Sequence, residues 1–178
     1  MSAAKKNSIL SPIIVLVCIG LVASFLLAGV YQITEPIISQ MEEEAKNAAL
    51  KEVLPDASGF TELKDAALIP GVAAVYKADN GAGYVCSTNC KSQQGGEISL
   101  MIGINASNAV NGISLISHNE TAGIGDKVLK DSYFQNYYGI SDADALAAVD
   151  TVSGATKTSS CVRESAVTAL KQVLALGN

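Results

Sequence analysis

Asp150-Thr151-Val152-Ser153-Gly154-Ala155-Thr156-Lys157-Thr158-Ser159 is the stretch from which the rest of the chain can be read. Ser-Gly-Ala makes a tight turn, and a helical pattern begins just after Thr156. Downstream, Val162, Ala166, Ala169, Leu170 and Val173 recur at three- and four-residue spacing, the pattern of one buried helix face. Thr156 is thereby placed in a turn at a helix N-terminus, where free backbone N–H groups and the helix dipole favour a negative group. Gly154 lets the backbone turn sharply, and Ala155 adds little bulk beside the hydroxyl. A phosphate would be stabilised there, bound or covalently attached.

Ser153, Thr156, Thr158 or Ser159 could instead simply cap the last helix. The longer pattern Asp-x-x-Ser-Gly-Ala-Thr, Asp150 to Thr156, resembles the acceptor sequence of flavin transferases. In that family the phosphate of FMN is esterified to the last Thr, which is Thr156 here.

Working outward, the N-terminal end carries a different signal. Lys5 and Lys6 lie in a short polar start, and Ile9 to Ile33 contains no charged side chain. That run exceeds the roughly 20 residues a helix needs to cross a bilayer, and the apolar core of a cleaved signal peptide is shorter, about 7–15 residues. A retained single-pass anchor is expected. Glu35, Glu42, Glu43 and Glu44 follow the span, so the charge asymmetry puts the N-terminus in the cytoplasm and the remainder outside. Pro36 to Leu54 has helical spacing, stops at Pro55, and would either continue the anchor as a stalk or pack on the domain. The organisation expected is a cytoplasmic N-terminus over 1–8, a transmembrane helix over 9–34, a helical stalk over 35–55 and an extracytoplasmic domain over 56–178.

The domain is acidic. Of the 12 basic residues, 10 follow the span, against 17 acidic ones. That balance argues against nucleic acid as a partner. Between Gly71 and Ser117 the pattern is strand-like: Val72 to Tyr76, Tyr84 to Cys86, Ile98 to Ile104 and Val110 to Ile116, with an Asp79-Asn80-Gly81 turn signal. About four antiparallel strands flanked by helices give an α+β class.

A second informative segment, Ser117 to Lys127, leaves a strand and enters a glycine-containing loop. Such a loop can bring backbone N–H groups and the Thr121 hydroxyl close to a flat or anionic ligand, although an ordinary strand-to-helix connection has the same composition. His118, the single histidine, could donate to a ligand carbonyl, bind a partner, or close a hydrogen bond at the strand end; the last requires no ligand. No metal site is expected, because nothing near it has ligand spacing. Tyr133, Phe134, Tyr137 and Tyr138 could wall a flavin ring, but core packing in a domain without tryptophan accounts for most of them. Cys86 and Cys90 could pair by oxidation outside the cytoplasm, or remain reduced with Cys161 in an anaerobic host.

The anchor, the loop His-x-Glu-Thr-x-Gly-x-Gly and Ser-Gly-Ala-Thr-x-Thr-Ser before a terminal helix occur in an order that resembles one family. It is that of the G subunit of the Rnf electron-transport complex, with its relative, the C subunit of the sodium-translocating NADH:quinone reductase. The family loop usually has Pro before its first Gly, where this chain has Ala122. The resemblance implies a small FMN-binding domain with FMN on Thr156 through a phosphoester, installed by a separate flavin transferase. Asp150, Ser153, Gly154, Ala155 and Thr158 match the acceptor pattern. Glu120, Thr121 and His118 match the loop. It implies an electron relay with no catalytic residues of its own, in a complex moving electrons between ferredoxin and NAD coupled to Na+ or H+ translocation. Its partners would be the other Rnf subunits and membrane lipid. A quinone-reductase or other extracytoplasmic redox chain, or an anchored binding module without redox turnover, are the alternatives.

Overall fold

The computed structural model describes residues 7–64, 66–91, 96–120 and 125–177. Lys5 and Lys6 lie outside them. The chain divides into two compact units, Met1–Glu44 and Ala45–Asn178. One helix, α1, runs Asn7–Val53 and contains both Pro12 and Pro36, so the span and the stalk are a single helical element. It is long and apolar enough to cross a membrane. In the first unit its large apolar side chains, among them Leu16, Phe25 and Leu27, are exposed, as residues facing lipid would be.

The second unit begins within α1, before the boundary expected at residue 56. The reason lies in Ala49, Leu50, Val53 and Leu54, whose spacing gives the end of α1 an apolar face that is buried. Five strands follow among the described residues: β1 Phe60–Glu62, β2 Val72–Ala78, β3 Gly83–Lys91, β4 Glu97–Asn105 and β5 Val110–His118. They form one sheet in sequence order, every neighbouring pair antiparallel. The sheet has one strand more than the sequence pattern predicts. β1 is three residues long, too short to show an alternation.

Both faces of this sheet are covered, which is why β4 reads as a nearly continuous apolar run. Ile98, Leu100, Ile102 and Ile104 point to one face with Cys86 of β3. There they meet α4 (Thr156–Leu176) and the short α2 (Asp131–Phe134) and α3 (Ala143–Ala147). Met101 and Val85 point to the other face, against Ala49, Leu50 and Val53 of α1. Val162, Ala166, Ala169, Leu170 and Val173 are all buried, as the periodicity of α4 predicts.

The end of α1 sits on glycine. Gly103 and Gly112 are register partners on β4 and β5. A Cβ on Gly112 would lie 2.8 Å from the Cα and 3.0 Å from the carbonyl oxygen of Val53, and one on Gly103 would meet the same carbonyl. Asn111 donates to that oxygen at 2.9 Å, satisfying a carbonyl that the helix end leaves open. Gly112→Ala therefore forces backbone against backbone, and should destabilise the domain by about 1–3 kcal/mol, read as a lower denaturant midpoint.

Burial also pushes the Cys86 thiol up to about 12. Its Sγ lies 3.7 Å from the carbonyl oxygen of Ala169 in α4, to which it donates. Burial raises Tyr137 and Tyr138 as well. All three groups stay protonated in the native state at pH values where the unfolded chain ionises, so the unfolded chain binds fewer protons and stability falls as pH rises. For Cys86 the window runs from its usual value of 9.0 to about 12. Denaturant midpoints should decline through that range, and iodoacetamide near neutral pH should label Cys86 only after unfolding. Rapid labelling mapped to Cys86 in the folded chain, and not to the exposed Cys18, would contradict this packing.

Candidate functional site

The loop before α4 is locked by its own hydrogen bonds. Gly154 adopts φ +82°, a left-handed conformation that closes the turn with little cost only for glycine. Ala155 N–H donates to the Val152 carbonyl at 3.0 Å. Ser159 then accepts from Val152 N–H at 3.1 Å and donates its hydroxyl to the Ala155 carbonyl at 2.9 Å. One buried serine thus holds both sides of the turn from inside the helix.

Tyr133 anchors the start of the loop by donating to the Asp150 carbonyl at 3.0 Å. Its hydroxyl is 3.0 Å from that of Tyr137. A phenol has one proton, so with that of Tyr133 directed to Asp150, Tyr137 donates to Tyr133. The two rings pack edge to face with centroids 5.6 Å apart. Tyr133, Phe134 and Tyr137 are buried, so they belong to the core, while Tyr138 reaches the surface.

The helix this loop leads into starts without a side-chain cap. Its capping residue is Ala155, and no side chain accepts a hydrogen bond there. The N–H groups of the first turn remain suited to an anionic group. Ser153, Gly154 and Thr156 are exposed around them, whereas Ala155 is buried and fixes the turn against the core. Asp150 contributes its backbone carbonyl, its side chain lying at the surface.

Thr158 has a different place from Thr156. It is buried, and its hydroxyl donates to Oε2 of Glu120 at 3.2 Å. This bond joins the two motifs across 38 residues of sequence. The Glu120 carboxylate lies in a slot made by two glycines. A Cβ on Gly96 would come within 2.7 Å of Oε1, and one on Gly125 within 2.9 Å of Cδ. Oε1 is buried and has no hydrogen-bond partner among the described residues. His118 ends β5, and its Nδ1 accepts from Glu120 N–H at 3.2 Å, the strand-end bond that requires no ligand. Thr121 and Ala122 lie outside the described residues. An open hollow lined by Asn136, Ala145, Ala148, Val149 and Asp150 contains only Asp150 of these candidates, and is not the site they form.

A disulfide joins Cys90 to Cys161, their Cα atoms 5.7 Å apart. The Cys86–Cys90 pairing that the sequence allows is not formed. Two residues four apart on one strand are about 13 Å from each other, well beyond the reach of a disulfide. Both side chains point toward α4, where Cys90 meets Cys161 and Cys86 packs as a free thiol.

Ser159, Tyr133 and the glycine slot hold this site, yet the sequence does not single them out for that task. Ser159 is the last residue of the motif, where the sequence offers it only as a possible helix cap. Gly125 closes the loop motif, but neither it nor Gly96 points to a slot for Glu120 until the fold places the two glycines on either side of it.

Residues 94–171, which contain both motifs, match the FMN-binding domain family, and residues 1–53 match the RnfG N-terminal region. The chain is 30% identical over 164 residues to the G subunit of the proton-translocating ferredoxin:NAD(+) oxidoreductase complex of Clostridium ljungdahlii, covering 85% of this chain and 84% of that one. It is 29% identical to the G subunit of the ion-translocating oxidoreductase complex of Methanosarcina acetivorans, over 98% of each. The G subunit of the Na(+)-translocating ferredoxin:NAD(+) oxidoreductase complex of Acetobacterium woodii is 31% identical over 64% of this chain and 62% of its own.

Proposed function

Since this chain belongs to the G-subunit family of ion-translocating Rnf oxidoreductase complexes, we propose that it is a membrane-anchored electron relay carrying FMN esterified to Thr156. The complex would move electrons between ferredoxin and NAD and couple the transfer to translocation of Na+ or H+, as the names of its relatives state for them. The observation that carries the reading is the exposed Thr156 hydroxyl at the uncapped start of α4, within the FMN-binding region.

The residues present fit FMN. The first turn of α4 suits its phosphate. Glu120 Oε1 has no partner among the described residues and can accept from a further donor, and a flavin offers an imide N–H and ribityl hydroxyls. FMN itself would supply one- and two-electron chemistry, joining carriers of either type. The protein's part is to hold and place it. The Thr156 oxygen would displace a leaving group from the phosphorus of an activated FMN donor, its P–O bond breaking as the ester forms and the hydroxyl proton departing with that group, which leaves the chain heavier by FMN less one water. Ser153 and Asp150 would be read by the flavin transferase that installs it, and Thr158 would act through Glu120. Anchoring by α1 would keep the carrier near the other Rnf subunits, raising its effective concentration. The lysines before the span and the glutamates after it favour a domain outside the cytoplasm. A dissociable flavin would be diluted away there.

The test is the intact mass of the full chain made with an active flavin transferase, with flavin fluorescence after denaturation. A gain of FMN less water, mapped to the peptide containing Thr156, is expected. An unmodified chain, beside a control acceptor that the same transferase modifies, would overturn the proposal.

A further inference from the structure

Two side-chain links run from the first turns of α4 to one end of the sheet. The first is the Thr158–Glu120 hydrogen bond. The second is the disulfide between Cys90 and Cys161. Cys90 is in register with Ile98 on β4, and Ile98 with His118 on β5. The strand end that carries the Cys90 sulfur is therefore the end from which His118 and Glu120 emerge. Cys161 stands three residues after Thr158 and five after Thr156, about one helical turn from each. The covalent link fixes the first turns of α4, which Thr156 begins, against the end of β3, at the sheet end from which His118 emerges.

We propose that the Cys90–Cys161 disulfide positions the acceptor turn and forms before the flavin is attached, so that the substrate of the transferase is the oxidised domain. This rests on the assignment of Thr156 as acceptor. A thiol-oxidising reaction outside the cytoplasm must then come first. In it the two thiols exchange with the disulfide of an oxidant. The oxidant's S–S bond breaks, the Cys90–Cys161 bond forms, and two electrons and two protons leave on the oxidant's sulfurs as thiols. Cys90 and Cys161 are positioning residues, and neither touches the transferred phosphate.

A loosened acceptor turn occupies its competent conformation for only a fraction of the time. That raises the apparent KM for the chain by the inverse of the fraction and leaves kcat nearly unchanged. The experiment measures initial rates of flavin attachment to the full chain in detergent, against chain concentration. The forms compared are the oxidised chain, the dithiothreitol-reduced chain, Cys90→Ser/Cys161→Ser and the apolar pair Cys90→Ala/Cys161→Val. The temperature is one at which each form retains the far-UV spectrum of the folded chain, and a cysteine-free acceptor shows that reductant leaves the transferase active.

The expected result is a KM raised about tenfold in all three bridgeless forms, with kcat changed less than about twofold. Reoxidation of the reduced chain with oxidised glutathione should restore the original KM. Equal KM values for oxidised and bridgeless forms would overturn the proposal while leaving Thr156 as acceptor. Failure of the oxidised chain itself to be modified would instead overturn the acceptor assignment on which it rests.

Discussion

Thr156→Ala should yield a folded, membrane-inserted chain with no covalent flavin at all. Thr156 is exposed at the first position of α4, where its hydroxyl makes no capping bond. Alanine is the stronger helix former there, so stability should change by no more than about 0.5 kcal/mol. The effect on flavin content should be all or none, because the neighbouring hydroxyls are wrongly placed. Thr158 is buried and committed to Glu120, and Ser159 is buried within the turn it locks. Ser153 is exposed but lies before the Gly154 turn, outside α4, where the acceptor pattern does not place the ester. Thr156→Ser, which retains the hydroxyl, should accept flavin at a reduced rate. The check is denatured-protein fluorescence beside a melting curve. Covalent flavin persisting in Thr156→Ala with an unchanged melt would relocate the acceptor.

Removing the disulfide should have the largest effect on stability. Cys90 and Cys161 are 71 residues apart in sequence, and closing a loop of that length lowers the entropy of the unfolded chain by about 4 kcal/mol at room temperature. Cys90→Ser/Cys161→Ser should therefore lose several kcal/mol in denaturant titrations, with a melting temperature lower by roughly 10–20 °C. The loss should match that on reducing the wild type. A change under about 1 kcal/mol would contradict this entropic stabilisation by the bridge.

The parts of the fold that are legible in the sequence are those written in local periodicity. The face of α4 follows from Val162, Ala166, Ala169, Leu170 and Val173 alone. β4 shows itself as an apolar run because both of its faces are covered. The span in α1 follows from length and charge. What cannot be read there depends on distant residues meeting. The last turns of α1 read equally as a stalk or as a helix packed on the domain, because their burial needs Gly103 and Gly112, on two strands whose register the sequence does not display. The partner of Cys90 is on another element, while the nearest cysteine in sequence is kept away by strand geometry. Within the site, Gly154 and Thr156 are legible because a turn and a helix start are local. The acceptor pattern includes Thr158, and the structure shows its hydroxyl donating to Glu120 of the other motif. That contact between two motifs has no trace in either motif taken alone.

The central claim is that electrons pass through a carrier on Thr156. It is tested most directly in membranes whose only copy of this chain is Thr156→Ala, by following NAD reduction driven by reduced ferredoxin. The other subunits should be present at wild-type levels by immunoblot. The account predicts loss of this activity with the complex still assembled, and partial activity for Thr156→Ser in proportion to its flavin content. Full ferredoxin-driven NAD reduction in Thr156→Ala membranes would contradict it.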